Sequence, residues 1–221
     1  MSRFKLAIDI GGTFVDLVIY DQKTKSLSHF KVPTTPTNPA QAVLDGVDSI
    51  QFPLSEISDF MHGTTLGLNA ILERKGANVG IITYKGFEVI YLIARGSLNF
   101  ADMYRFDFQQ PPTLVRRSNI RGVSGRINFL GEEILPLDEK AVLAAAYELV
   151  NSAGCQAIAI NFLHSYANTK HEEIAVNLLK ENYPELAISA GGLLANEYRE
   201  YERTSTTVLD SYIKPVLKNY L

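Results

Sequence analysis

Cysteine is nearly missing from the 221 residues, with Cys155 standing alone. A single thiol excludes an intramolecular disulfide framework and fits a reducing compartment. It lies in the apolar run CQAIAINFL, where a small core residue is a simpler reading than a catalytic nucleophile. No apolar stretch approaches the ~18–20 residues that span a bilayer, and no signal-peptide pattern precedes the first strand-like segment. The expected location is cytoplasmic, with no membrane partner. The formal net charge of −3 is spread without blocks of one sign. That excludes the basic footprint of a nucleic-acid binder and the charged tails of disordered interaction segments. His29, His62, His164 and His171 show no metal-ligand spacing with one another or with Cys155, so no zinc site is expected. Internal repeats and low-complexity tracts are also absent.

What is present is an ordinary globular composition, 46% hydrophobic and 20% charged, sufficient for a real core. Phe4, Leu6, Ile8 and Ile10 alternate with polar or small residues, which is a strand pattern. TFVDLVIYD and SLSHFKVPTT read as second and third strands, so the chain opens with an antiparallel meander. Asn38, Pro39 and Gln41 then mark a helix start. Next come a strand near Phe60, a helix over 66–75 stopped by Gly76 and a strand over 79–84. Residues 95–131 lack clear periodicity and contain Pro111-Pro112 with Gly122, Gly125 and Gly131. Beyond them, Asp138 caps a helix that Gly154 ends, and a buried-type strand covers 157–163. Asn168 caps the next helix, a strand lies near 187–189, and a last helix is expected over 203–221. Strands alternating with helices define an α/β class with a mixed sheet.

The segment Asp9-Ile10-Gly11-Gly12-Thr13-Phe14-Val15-Asp16 carries the most chemistry. A carboxylate at a strand end is followed by two glycines in a tight turn and then a hydroxyl. Glycines let a backbone approach a phosphate closely, with N–H groups directed at its oxygens. A carboxylate such as Asp9 suits a hydrated Mg²⁺, which keeps several waters while bridging phosphates. A plain hairpin turn is the competing reading, because Gly-Gly also joins two strands well. Neither a Walker A loop nor a GxGxxG fingerprint occurs.

DIGGTFVD resembles the first phosphate motif of the superfamily of actin, sugar kinases and chaperone ATPases. Further segments resemble the N-terminal domain of the hydantoinase A/5-oxoprolinase family, which includes an acetone carboxylase subunit. They are His62-Gly63-Thr64-Thr65 leading into NAILERKGA, then LHSYAN at 163–168, then EYERTSTTVL at 200–209. Four segments in the family's order, from about residue 4 to 221, make the resemblance specific.

The resemblance implies a ribonuclease-H-like (actin-like ATPase) mixed sheet with flanking helices, plus an additional α/β subdomain. Its parts would be a phosphate-binding core over 1–95, an irregular linker over 96–131 and an α/β part over 132–221. The last of these would end in a connecting helix, with the second ATPase lobe lying outside the chain. ATP and Mg²⁺ are the implied cofactors, and a cyclic amide, imide or ketone is the implied substrate. A hydantoinase B-type subunit is the implied protein partner. Asp9 takes the Mg²⁺-holding role, and Gly11, Gly12 and Thr13 form the phosphate loop. Asp16 either completes the metal shell or braces the loop. Gly63 and Thr65 belong to a second turn at a helix start, where free N–H groups suit phosphate or an oxyanion. His62 is either an acid–base group or an orienting one. Thr64 is either catalytic or a helix cap, and Asn69, in the first turns of that helix, is a catalytic candidate expected to face the cleft. His164, Glu202, Arg203 and Thr204 are read as structural.

The stretch from Ala94 to Tyr104 departs from the family pattern, because the proline expected there is missing. Substrate identity is therefore left open among amides, imides and ketones. A small-molecule kinase and a non-catalytic actin-like scaffold are the remaining alternatives.

Overall fold

The computed structural model describes residues 3–35, 39–49, 53–96, 99–218 and 220. Its chain divides into two compact units, one of residues 1–75 with 216–221 and one of residues 76–215.

In the first unit, β1 (Phe4–Ile10), β2 (Phe14–Asp21) and β3 (Ser26–Pro33) form the antiparallel meander that the alternation predicts. Helix α1 (Pro39–Ser49) precedes β4 (Ile57–Thr64), which returns parallel to β1 and gives the order β3-β2-β1-β4. The expected cap Asn38 lies outside the described residues. Phe4, Leu6, Ile8 and Ile10 share one buried face with Val15, Leu17 and Ile19, and Ala42 of α1 packs on it. Each such large side chain contributes roughly 1.5–3 kcal/mol. Because strand side chains alternate with period two, a one-residue slip would expose the whole set. The same alternation sends Ala7, Asp9, Asp16 and Val18 to the opposite face, on which Gly63 pairs beside Asp9.

Helix α2 (Leu66–Leu72) ends three residues before the expected Lys75. Arg74 adopts a left-handed φ of 55°, and Lys75 N–H donates to Ala70 O while Arg74 N–H donates to Ile71 O. This pair of bonds is the Schellman termination, with arginine where glycine is usual.

The second unit is built on a parallel sheet. Its elements are β5 (Val79–Tyr84), α3 (Ile90–Ile93), α4 (Phe100–Met103), β6 (Ile120–Val123) and the β7 (Arg126–Ile127)–β8 (Glu133–Leu135) hairpin. They continue with α5 (Glu139–Tyr147), β9 (Ala157–Ile160), α6 (Lys170–Asn182), β10 (Ala187–Ala190), α7 (Gly191–Leu194) and α8 (Glu200–Lys218). The strand order is β10-β9-β5-β6, all parallel. Ile82, Tyr84, Ile158 and Ile160 pack on Val142, Leu149, Ala175 and Leu179 of the α5–α6 side. The other face meets α8, whose buried residues include Arg203, Thr204, Thr207 and Ser211. Both faces of β5 and β9 are therefore covered, which explains their unbroken burial.

Asp138 caps α5 as expected, accepting a hydrogen bond from Ala141 N at 3.0 Å. Thr169, not Asn168, occupies the cap position of α6, although Asn168 Oδ1 accepts from Lys170 N at 2.9 Å. The last helix starts at Glu200 instead of 203.

The expected division at residue 95 falls instead after Lys75, because β5 bonds to β6 and β9 and so belongs to the second sheet. The stretch over 96–131 is likewise no separate linker, for it supplies β6 to this sheet. Gly122 hid that strand, since glycine weakens a strand signal. It is required there: a Cβ would lie 2.1 Å from Glu88 Oε1 and 2.8 Å from Lys85 Cα.

Candidate functional site

Strand β1 delivers Asp9 to the exposed face of the first sheet, one residue before the strand ends. The chain then reverses through Gly11, Gly12 and Thr13. Gly11 N–H donates to Phe14 O at 2.9 Å and closes the turn. Thr34, at the end of β3, locks it from the side: its N–H donates to Thr13 O at 2.9 Å and its Oγ1 to Gly11 O at 3.0 Å. Sequence reasoning missed Thr34, because only the β2–β3 register brings it there.

The second turn docks on the first. Thr65 N–H and Oγ1 both donate to Ile10 O, at 3.1 and 3.3 Å. Asn69 Nδ2 donates to Thr65 Oγ1 at 3.3 Å, and a Cβ on Gly12 would lie 3.2 Å from the same nitrogen. A Cβ on Gly63 would lie 3.3 Å from Asp9 Oδ1. Asp9, Gly11, Gly12, Gly63, Thr65 and Asn69 are thus gathered in one place, with Thr13 at the exposed tip of the turn. Both glycines meet the requirement that a carboxylate and an amide approach backbone closely.

Asp16 pairs directly opposite Asp9 across β1 and β2. His29 Nε2 lies 3.0 Å and Lys31 Nζ 3.6 Å from Asp16 Oδ1, both reaching over from β3. Among the described residues Asp9 has no ion pair. Asp16 is therefore the member of the pair with basic neighbours among the described residues. His29 and Lys31 carried no local signal in the sequence, because only strand pairing places them beside Asp16.

Two expected residues point elsewhere. His62 pairs with Ile8, so its imidazole leaves the sheet on the face opposite Asp9. There it stacks between Phe60 and Tyr220, with ring centroids 6.1 and 5.5 Å away, and hydrogen-bonds to the Tyr220 hydroxyl. Thr64 pairs with Ile10, and its Oγ1 accepts from Leu66 N at 3.1 Å, which opens α2. The sequence motif is contiguous, but strand alternation divides its side chains between two faces.

The donor set suits Mg²⁺ with phosphate. No group of three or more His, Cys, Asp or Glu that could hold a metal occurs among the described residues, so an all-protein metal cage is absent there. One or two carboxylates beside a glycine turn are the usual Mg²⁺–phosphate arrangement, in which waters and phosphate oxygens complete the shell.

In the second unit Arg203 and Thr204 are buried and His164 is half-buried, whereas Glu202 lies at the surface in an ion pair with Arg95. Glu172, fully buried, accepts from Phe162 N at 2.9 Å and Gly192 N at 2.6 Å. Arg203, also fully buried, donates to Phe162 O at 3.0 Å and Glu197 O at 2.7 Å. Burial pushes the Glu172 carboxyl up and the Arg203 guanidinium down from their ordinary values. His164 adopts a φ of 63° after β9, and burial lowers its pKa. Cys155 is a buried core thiol, pushed up by burial. No helix among the described residues is long and apolar enough to cross a membrane.

Fold and site together define a mixed α/β protein whose first unit carries a braced, acidic glycine turn. The family model of the hydantoinase/oxoprolinase N-terminal region matches residues 5–183, and the chain belongs to that family. It is 35% identical over 230 residues to the caprolactamase subunit alpha of Pseudomonas jessenii, covering 100% of this chain and 32% of that one. The crystal structure of the ATP-dependent caprolactamase from that organism superposes with a TM-score of 0.83 at 33% identity, over 98% of this chain and 32% of the other. A nucleotide-free acetone carboxylase structure superposes with a TM-score of 0.80 at 27% identity, over 97% and 33%. The chain thus spans about a third of the length of the relatives it matches.

Proposed function

We propose that this chain supplies the phosphate-handling part of an ATP-dependent enzyme that activates the carbonyl of a small cyclic amide or imide by phosphorylation. The observation that carries the reading is the docking of the Gly63–Thr65 turn onto the Gly11–Thr13 turn beside Asp9. The β3-β2-β1-β4 order, a meander plus one parallel strand, supports the ribonuclease-H-like assignment of the first unit.

Amide resonance makes a lactam carbonyl a poor electrophile. Attack of its oxygen on the terminal phosphorus of ATP breaks the bond to ADP and leaves an O-phosphorylated, resonance-depleted carbon. Water then adds to that carbon, the C–N bond breaks with proton transfer to nitrogen, and a second water cleaves the resulting acyl phosphate to carboxylate and phosphate. The protein's task in such a transfer is positioning and charge neutralisation. Backbone N–H groups of Gly11–Thr13 and the Thr13 hydroxyl would hold phosphate oxygens. Asp9 would hold Mg²⁺, which supplies neutralisation of phosphate charge, while Asp16 braces the turn. His62 and Thr64 act on the other face as framework residues, and Asn69 holds the second turn in place.

The remaining length seen in the relatives would supply a second lobe, and a partner subunit is in keeping with the relative's designation as a subunit. The lone buried thiol agrees with a reducing, cytoplasmic setting. A ketone carboxylase is the second reading, favoured by the acetone carboxylase likeness. Both begin by phosphorylating an oxygen, so they share the Asp9 loop.

The test is ATP hydrolysis by the chain joined to the remaining length of its relatives, against lactams, hydantoins and ketones, with Asp9→Ala as control. Stimulation by one compound, lost in the control, supports the reading and selects between amide and ketone. Hydrolysis that survives Asp9→Ala sinks it.

A further inference from the structure

Lys31 brings a positive charge to the glycine turn, and strand register puts it there. Asp9 pairs with Gly63 on one side and Asp16 on the other, and Asp16 in turn pairs with Lys31. Gly63, Asp9, Asp16 and Lys31 thus form one row across β4, β1, β2 and β3, and the three side chains leave the sheet on one face. Thr34, three residues beyond Lys31, ties the end of β3 to the turn through its bonds to Thr13 O and Gly11 O.

The ammonium is loosely kept. Lys31 Nζ lies 3.6 Å from Asp16 Oδ1, beyond hydrogen-bond distance, and 4.8 Å from the centre of the Phe14 ring. Phe14 opens β2, and its carbonyl closes the turn by accepting from Gly11 N–H. About half of the Lys31 side chain is exposed, and an exposed ion pair without a hydrogen bond holds weakly. His29 Nε2 lies 3.0 Å from the same Asp16 oxygen, so Asp16 keeps a partner when Lys31 leaves it. Lys5, on the same face of β1, is held at 3.0 Å by Asp59, and Lys75 at 2.8 Å by Glu73.

We propose that Lys31 is a phosphate-contacting residue, whose ammonium moves from Asp16 and the Phe14 ring onto the oxygens of a polyphosphate held by the turn. It rests on the phosphate role proposed for that turn. A polyphosphate brought beside Asp9 and Asp16 meets two carboxylates, and backbone N–H groups with the Thr13 hydroxyl offer it no full positive charge. Lysine offers that charge and three donors on a flexible stem, and hydrogen bonds between charged partners are the stronger kind. A cation that reaches the phosphate also stabilises the charge that shifts during transfer. The pair of basic neighbours at Asp16 then has a division of labour: His29 stays, and Lys31 moves.

The test is calorimetric titration of the chain joined to the remaining length of its relatives, with Mg²⁺ and inorganic tripolyphosphate at about 0.15 M salt. Lys31→Met is expected to weaken binding at least about tenfold, and Lys31→Arg to recover most of the loss. Lys31→Gln serves if Lys31→Met does not fold. Repeating Lys31→Met in an Asp16→Asn background separates contact from neutralisation, because a lysine that only offsets Asp16 has nothing left to offset there. A loss of similar size in both backgrounds is expected. Unchanged affinity in the folded variant, or a loss that vanishes beside Asp16→Asn, overturns the proposal and leaves the function standing if hydrolysis still needs Asp9. A tenfold loss in both backgrounds with hydrolysis that survives Asp9→Ala keeps the Lys31 contact and removes the function. A parent protein that does not bind tripolyphosphate removes both.

Discussion

Asp9 and Asp16 face each other across the β1–β2 pair, and among the described residues only Asp16 is met by basic side chains of β3. Like charges directly opposite in a sheet are destabilising, so the arrangement costs stability. Asp9→Asn is expected to raise the Tm of the chain by roughly 1–3 °C. In the joined protein the same change should lower ATP turnover on the order of 100-fold or more. Asp16→Asn should have a smaller effect on turnover. Equal losses from the two variants would mean that both carboxylates hold the metal.

Gly63→Val tests the closeness of the second turn to Asp9. A Cβ there would lie 3.3 Å from Asp9 Oδ1, and two further methyl groups must displace that carboxylate. Turnover should fall at least about tenfold while circular dichroism stays native. Gly12→Ala pushes only on the end of the Asn69 side chain and should cost less. A Gly63→Val enzyme with normal Mg²⁺ dependence would show that Asp9 can be moved without consequence.

His62 belongs to the packing of Phe60 and Tyr220 on the far face of the sheet. His62→Gln should therefore keep turnover within about threefold and lower stability by about 1 kcal/mol. Tyr220→Phe should give a loss of similar size that is not additive with it, as expected of partners in contact. A collapse of kcat with unchanged stability would restore His62 as an acid–base residue.

Removing Glu172 should be severe. Its carboxylate accepts from Phe162 N and Gly192 N, while Arg203 grips the carbonyl of the same Phe162. Glu172→Ala leaves two buried N–H groups and a buried guanidinium uncompensated, and about 3–5 kcal/mol should be lost in urea unfolding. Glu172→Gln keeps one acceptor and should lose clearly less.

Acid sensitivity should trace to Asp21. Arg3, Lys23 N–H and Thr24 hold its carboxyl well below the usual carboxylate range. A depressed folded pKa means that the unfolded chain binds the proton first. This contribution is complete above the ordinary carboxylate pKa of about 4 and is lost as pH falls toward the folded value. Melting curves of Asp21→Asn should lie below the parent at pH 7 and converge with it under acid conditions. Parallel curves from about pH 7 down to about 2.5 would assign the acid limb to other groups.

The β-meander, the α5 cap at Asp138 and the glycine turn were legible in the sequence because each depends on neighbours within a few residues. Alternation at Phe4–Ile10 reports a buried face, Asp138 reports a local hydrogen bond, and Gly11-Gly12 reports a backbone that must turn. The four ordered motifs carried the family for the same reason. The β6 strand and the boundary at Lys75 were not legible, since Gly122 breaks the strand pattern and β5 finds its sheet only through partners far along the chain. Contiguity in HGTT likewise said nothing about which face each side chain would take. Pairing with β1 set that, sending Gly63 to Asp9 and His62 to Tyr220. The basic neighbours of Asp16 and the bracing of the turn by Thr34 arise from the same cause. Hydrogen-bond register between distant strands is a property of the folded sheet, and no local propensity encodes it.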